Sequence, residues 1–240
     1  MLRFILILLL LLAGNSYAFN LTAKSWLVAD ENNFILDGRD TQTVRSMASI
    51  TKVMTAIAVL EAEQDLNQLV KYHNVKLTRR ELIEISLVKS DNHASDLLCK
   101  HYPNGYRNCI EDMNILARRF EMYNTTYTDA TGLLATNTST AIDLLKLLNV
   151  AERYPLIVEA SRKNRVEIKI RKQWFVFNNT NPLIGKKHEF IISKTGTTTA
   201  AGGCIILTVR TERGIRRVVV LGSRNGQTRI PEADFIASSN

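Results

Sequence analysis

Ser49-Ile50-Thr51-Lys52 sets a hydroxyl and an amine three residues apart. On a helix, residues i and i+3 share a face, so the Lys52 amine can reach the Ser49 hydroxyl. A free serine is a weak nucleophile and needs an adjacent base. The residues that follow, Val53, Met54, Ala56, Ile57, Ala58, Val59 and Leu60, predict a helix apolar nearly all round and therefore buried on most sides. Burial favours a neutral lysine over its ammonium form, and a helix N-terminus at Ser49 stabilises negative charge developing there. The chemistry this suits is acyl transfer through a covalent serine intermediate. A plain helix cap is the competing use of Ser49.

Spacing alone does not select this pair, because Ser86-Leu87-Val88-Lys89 repeats it. The pattern S-x-N occurs at Ser90-Asp91-Asn92, at Ser223-Arg224-Asn225 and at the C-terminus, whereas Lys194-Thr195-Gly196 is unique. Order and context decide. Serine hydrolases that recognise penicillin need S-x-x-K at a helix start, then S-x-N in a helical region, then K-T-G on a strand. Ser49, Ser90 and Lys194 satisfy that order. Ser86 falls inside a helix, where its hydroxyl bonds locally or points to solvent. A capping turn is the alternative reading of Ser90 and Asn92, and a solvated strand-end lysine that of Lys194. Glu111 and Glu121, which could be tried as deacylating carboxylates, fit solvated helix faces.

The elements that must position these groups come in three blocks. Trp26 to Ala29 and Phe34 to Leu36, separated by Asp30-Glu31-Asn32-Asn33, read as a hairpin. A helical middle follows Ser49, with helices over 80–87, 94–100, 109–120 and 140–150, the last capped by Ser139. After Ile157 the pattern returns to strands, over 167–177, 190–192, 204–209 and 217–221, with a second hairpin turn at Thr211-Glu212-Arg213-Gly214. The expected class is α+β: an antiparallel sheet, completed by the N-terminal hairpin, flanked by helices and carrying a mainly helical insert.

Composition narrows the setting. The 240 residues are 45% hydrophobic and 22% charged, with 4 Pro and 11 Gly, which excludes disorder and repeat arrays. The first residues differ in kind. Arg3, an apolar run to Leu12 and the small-residue pattern Ser16-Tyr17-Ala18 read as a secretory signal; the alternative is a retained N-terminal anchor, for which the run is short, since spanning a bilayer takes about 20 apolar residues. Cleavage after Ala18 leaves a catalytic domain over 19–240 and lowers the formal charge from +8 by the one arginine removed. The positive balance tolerates anionic partners, but no dense basic run with interleaved aromatics points to nucleic acid. In an oxidising compartment Cys99 and Cys109 either pair or pack as two thiols, and Cys204 reads as a buried small hydrophobe. The four histidines show no zinc-site spacing, and the chemistry calls for no metal or organic cofactor.

With these motifs assembled, the chain resembles the low-molecular-mass penicillin-binding proteins, the serine-type D-Ala-D-Ala peptidases. The resemblance rests on Ala48-Ser49-Ile50-Thr51-Lys52-Val53-Met54-Thr55-Ala56 and on Lys194-Thr195-Gly196 followed by Ala201-Gly202-Gly203-Cys204. The connecting blocks His101 to Tyr106, Met113-Asn114, Thr131-Gly132-Leu133, Ser139 to Leu144 and Asn179 to Leu183 resemble the endopeptidase branch, which cuts D-Ala–diaminopimelate cross-links. The resemblance implies a penicillin-binding-protein/β-lactamase-like transpeptidase fold, peptidoglycan as substrate and β-lactams as covalent inhibitors. It assigns Ser49 as nucleophile, Lys52 as base and Ser90 as proton relay to the leaving amine. Asn92 would hold a substrate amide, Lys194 supply positive potential and Thr195 bind the substrate carboxylate. The N–H groups of Ser49 and Thr197 would form the oxyanion hole, Gly196 belongs with the substrate-binding residues, and Arg229 is a candidate carboxylate clamp. Carboxypeptidase, β-lactamase and non-catalytic wall-binding or β-lactam-sensing readings stay open beside the endopeptidase. The interval from Lys52 to Ser90 is short for the family, which bears on cleft shape. A chain stopping at Asn240 without an amphipathic anchor is expected in the periplasm, at most loosely associated with membranes.

Overall fold

The computed structural model describes residues 19–239. An antiparallel hairpin of β1 (Ser25–Ala29) and β2 (Ile35–Arg39) opens it, and β3 (Arg45–Ser46) leads through a 3-10 turn, Ala48–Ile50, into α1 (Thr51–Glu61). The hairpin of β4 (Leu69–Tyr72) and β5 (Val75–Thr78) is followed by α2 (Arg79–Val88), α3 (Asn92–Lys100) and α4 (Tyr106–Arg119). Next come β6 (Thr138–Ser139), α5 (Ala141–Ala151) and α6 (Pro155–Arg162), then a hairpin of β7 (Arg165–Ile170) and β8 (Gln173–Asn178). The meander β9 (Glu189–Thr198), β10 (Gly202–Thr211) and β11 (Gly214–Ser223) precedes α7 (Arg229–Ser239).

The main sheet has the order β2-β1-β11-β10-β9, antiparallel throughout. Its central strands are apolar on both faces because both faces are covered. Leu27, Ala29, Cys204, Ile206, Val219 and Leu221 face the helical insert, where α5 packs on β1, β10 and β11 and α6 on β9. Trp26, Val28, Ile205, Leu207, Val218 and Val220 face the other way, under Ile230, Ala233, Ile236 and Ala237 of α7. This period-2 division is what a strand imposes, and it makes a three-layer α+β molecule, as expected. Helix α1 is buried from Thr51 to Val59, which holds its N-terminal end rigidly at the centre of the protein.

Several sequence expectations are corrected. Residues after Ile157 do not turn to strand at once: α6 runs to Arg162 and begins at Pro155, a residue pre-set for the first helical position. The segment 167–177 is two strands with Arg171 at positive φ in the turn. Helix α7 had no counterpart in the sequence reading, because Pro231 reads as a breaker, yet it lies in the first turn, where proline is tolerated. Thr140, not Ser139, caps α5, its hydroxyl accepting from the Asp143 N–H. Ser86 neither bonds its own helix nor reaches water: it is buried and shares a 2.7 Å hydrogen bond with Ser95 of α3. Glu111 does lie on a solvated helix face, paired with Arg107, but Glu121 stands in the exposed turn beyond α4. The signal-segment reading falls outside the described residues. Among those residues no helix is long and apolar enough to cross a membrane.

Cys99 of α3 and Cys109 of α4 are joined in a disulfide across 10 residues of sequence. Cys204 is the free cysteine among the described residues, and burial pushes its thiol up to about 11. Closing a loop of this size restricts the unfolded chain and typically stabilises by about 2–4 kcal/mol. The double variant Cys99→Ser/Cys109→Ser is therefore expected to lose stability of that order in urea unfolding at neutral pH. An unchanged midpoint would show that the bridge is not formed in solution or does not constrain the unfolded state.

Candidate active site

Ser49 sits in the 3-10 turn at the entrance to α1, and its neighbour Ala48 is held at φ +48°. A positive φ is unusual for a residue with a side chain and persists only where surroundings impose it. Here the Ala48 carbonyl accepts from the Thr51 hydroxyl at 2.8 Å, and Met47 N–H donates to the Asn137 carbonyl at 3.1 Å. Two glycines close in on the same backbone. A Cβ at Gly132, whose φ is +81°, would stand 1.9 Å from the Ala48 oxygen, and one at Gly196 would stand 2.8 Å from Ser49 N. The serine backbone is thus gripped between the 129–134 loop and the edge strand β9.

One turn on, Lys52 is 0% exposed. Its Nζ donates to Ser49 Oγ at 2.9 Å, to Asn92 Oδ1 at 2.8 Å and to the Thr131 carbonyl at 2.6 Å. Burial, opposed by the charges of Asp129, Asp91 and Asp96, lowers its pKa to about 8. Three acceptors match the three protons of an ammonium. When one proton leaves, the amine keeps Asn92 and Thr131 as acceptors and turns its lone pair on Ser49.

Ser90 and Asn92 arrive from the turn between α2 and α3. Asp91 caps α3 by accepting from the Ala94 N–H at 2.7 Å, which makes Asn92 the first helical residue and leaves Ser90 at φ +60°. From the opposite side comes Lys194 of β9, 1% exposed, whose Nζ donates to Ser90 Oγ at 2.8 Å and to the Thr195 carbonyl at 2.8 Å. Burial first, then the charges of Lys52 and Arg229, lowers Lys194 well below an ordinary lysine. The hydroxyls of Thr195 and Thr180 lie 2.6 Å apart, and Thr180 N–H donates to the Val88 carbonyl at the end of α2. That chain of bonds fixes the distance between β9 and the Ser90 turn. Arg229, at the start of α7 and 8% exposed, reaches under β9 and donates to the Gly196 carbonyl at 3.0 Å and to the Thr197 hydroxyl.

Ser49, Lys52, Ser90, Asn92, Lys194, Thr195, Gly196, Thr197 and Arg229 therefore converge on one place. The sequence reading assigned no role to the groups that aim Lys52. The Asp129 carboxylate accepts from the N–H groups of Thr131 (2.6 Å), Gly132 (2.6 Å) and Leu134 (2.8 Å), and from the Thr131 hydroxyl (2.9 Å). Burial raises its pKa, but these donors outweigh burial and hold it below the usual carboxylate range. The result is a fixed loop that points the Thr131 carbonyl at Lys52. Asp129 and Gly132 in one short stretch are residues of the kind that mark a turn, but a main-chain carbonyl acting as acceptor leaves no trace in side-chain chemistry.

A hydroxyl aimed at by a buried, easily deprotonated amine, on a backbone clamped at an edge strand, defines a serine acyl-transfer site. The chain belongs to the peptidase family described as D-alanyl-D-alanine carboxypeptidase, whose model matches residues 13–225. It is 34% identical over 221 residues to a D-alanyl-D-alanine endopeptidase of Escherichia coli, covering 83% of this chain and 71% of that protein. It is 32% identical to a D-alanyl-D-alanine endopeptidase of Pseudomonas aeruginosa, covering 92% and 78%. Among solved structures, a penicillin-binding protein of Listeria monocytogenes in its cefotaxime-bound form superposes with a TM-score of 0.80 at 26% identity, over 91% of this chain and 96% of that one. A Streptomyces DD-transpeptidase shares the fold with a TM-score of 0.84 at 22% identity, over 90% and 96%.

The two-sided grip on Ser49 gives a direct test. Gly132→Ala combines a backbone strain of about 1 kcal/mol with overlap against the Ala48 carbonyl, and should destabilise by roughly 3 kcal/mol or displace the Ser49 turn. Gly185→Ala is the control, since its φ of +75° is also positive and no heavy atom lies within 4 Å of the added carbon. Denaturation midpoints that shift equally in the two variants would refute the close-approach argument.

Proposed function

We propose that the protein is a serine D,D-peptidase of peptidoglycan that opens D-alanyl cross-links through an acyl-enzyme on Ser49. The observation that carries this reading is the 2.9 Å hydrogen bond between Ser49 and the buried amine of Lys52, in a pocket that also holds Ser90 and Lys194. Endopeptidase is preferred over carboxypeptidase because relatives at 34% and 32% identity are named D-alanyl-D-alanine endopeptidase.

In the proposed mechanism neutral Lys52 takes the proton of Ser49 as the serine oxygen attacks the D-alanyl carbonyl carbon. The developing oxyanion is met by the N–H groups of Ser49 and Thr197, and the N-terminus of α1 adds a favourable field. As the tetrahedral intermediate collapses, the C–N bond breaks, Ser90 gives its proton to the leaving amine, and the ammonium of Lys52 reprotonates Ser90 and returns to its neutral form. Lys194, donating to Ser90 at 2.8 Å, holds that hydroxyl with its own proton free to point into the cleft. Water then attacks the ester and restores Ser49. Because β9 is the edge of its sheet, an extended peptide can lie along it with main-chain bonds. Asn92 would bind the acyl-side amide and Thr195 the carboxylate of the leaving residue; Arg229, a candidate carboxylate clamp from the sequence, would instead brace β9 through the Gly196 carbonyl and the Thr197 hydroxyl. A β-lactam entering this site would acylate Ser49. Residues 1–18 serve, in this proposal, as the export signal that delivers residues 19–240 to the periplasm, where the substrate lies.

Fluorescent penicillin should label the mature protein stably, and Ser49→Ala should lose both label and conversion of dimeric muropeptides to monomers. Label that vanishes within seconds as the drug is hydrolysed would mark a β-lactamase, and no label with no cleavage would leave a binding protein. The base makes a second test. Since Lys52 acts as the neutral amine with a pKa near 8, the second-order rate of penicillin acylation should rise with pH and level off above that value. Between pH 8 and pH 6 it should fall about fiftyfold, as the neutral fraction does. A flat profile over that range would exclude Lys52 as the base.

A further inference from the structure

The hairpins β4–β5 and β7–β8 both rest on α2, and a groove runs between them. It consists of two adjoining hollows of about 460 and 550 Å³ that share Asn74, Val75, Ile170 and Arg171 as walls. Five exposed cations stand around it: Lys71, Lys76, Lys169, Arg171 and Lys172. Lys71 and Lys76 are direct cross-strand partners, and like charges set opposite each other destabilise a hairpin unless an anion offsets them. Among the described residues none of the five is in an ion pair. The neighbouring carboxylates are engaged elsewhere: Glu81 accepts from the Thr78 N–H and hydroxyl, and Glu167 binds Arg165 at 2.7 Å.

The end of the second hairpin is apolar as well as basic. Trp174, Phe175 and Val176 are 61%, 40% and 50% exposed. Strand alternation turns Trp174 and Val176 to one face and Phe175 to the other, where it lines the groove. Lys169 Nζ stands 5.7 Å from the centroid of the Trp174 ring. Another exposed apolar run, Phe34-Ile35-Leu36, is flanked in sequence by Asp30, Glu31 and Asp37 instead.

We infer that the β7–β8 tip, with the facing β4–β5 turn, is a docking surface for an anionic phospholipid bilayer. Trp174 and Phe175 would enter the interfacial zone, and the five cations would lie among the lipid phosphates. A glycan or a folded protein would take one face of the tip. Trp174 and Phe175 leave it on opposite faces, and a bilayer surrounds what enters it. No more than about 22 Å of chain separates Trp174 from Thr180, whose hydroxyl meets that of Thr195 in the site at 2.6 Å. Docking here would hold the cleft close to the lipid surface.

The chain has two tryptophans, and Trp26 is buried under α7, so Trp174 is a built-in reporter. With phosphatidylglycerol vesicles the protein should show blue-shifted emission, quenched by lipids brominated in the upper acyl chain. Phosphatidylcholine vesicles should give neither effect. Ser49→Ala should bind as well as the unsubstituted protein, since docking does not involve the acyl-enzyme. In vesicle sedimentation, Lys169→Gln/Arg171→Gln/Lys172→Gln should weaken binding about a hundredfold, at roughly fivefold per cation. Trp174→Ala/Phe175→Ala should weaken it about tenfold, and Phe34→Ala, the control, should change nothing. Absence of quenching in the unsubstituted protein, or equal binding to neutral vesicles, overturns the docking surface. So does retention on insoluble peptidoglycan that the triple substitution abolishes while vesicles are ignored, which would assign the cations to a wall polymer.

Discussion

A lysine amine taken wholly out of water is the constraint around which this protein is built. Burying an unpaired charge is prohibitive, so Nζ of Lys52 must find partners, and it finds them in three segments distant in sequence. The Ser49 turn, the start of α3 and the 129–134 loop each contribute one acceptor. A displacement of any of them strands a buried donor, so the amine specifies the mutual placement of all three. The same burial lowers the cost of losing its proton. One physical fact, desolvation, thus orders the site and brings the neutral form of the amine within reach near pH 8.

The layers around it serve to keep that arrangement from relaxing. Helix α1 is enclosed on nearly every side, which leaves its first turn no freedom to swing. The edge strand β9 bears on the Ser49 backbone through the missing side chain of Gly196, and Asp129 converts a loop into a fixed mount by gathering three N–H groups and a hydroxyl. Positive φ at Ala48 and Ser90 places backbone strain beside both hydroxyls, where neighbouring contacts hold it.

The parts of this molecule legible in sequence are those written in side-chain type and period. The β-rich runs 204–209 and 217–221, the all-round apolar helix after Ser49, and the order of three short motifs gave the α+β plan and pointed to nine residues that the fold brings together. What stayed hidden obeys other rules. Thr131 acts through its carbonyl, which every residue has. Helices α6 and α7 start with prolines at or near their first turns, and a proline reads as an interruption until its position in the helix is known. Ser86 mates with Ser95 across two helices, a tertiary bond that no local pattern announces. The Cys99–Cys109 pairing depended on α3 and α4 meeting end to end.

The sheet closes by pairing its first strand with its last: Ser25 lies opposite Leu221. Ser90 and Lys194, though hydrogen-bonded, are 104 residues apart. A ribosome adding about 5–20 residues each second needs roughly seven to thirty seconds to travel from Ser49 to Lys194. Throughout that interval the nascent polypeptide carries its serine without the strand that presses on it, and with no completed sheet to anchor α1. Non-local pairing of this kind also forms slowly once the whole chain is available. The site is complete only once the last strands have paired, because a chain lacking β9 lacks both Lys194 and the grip on Ser49.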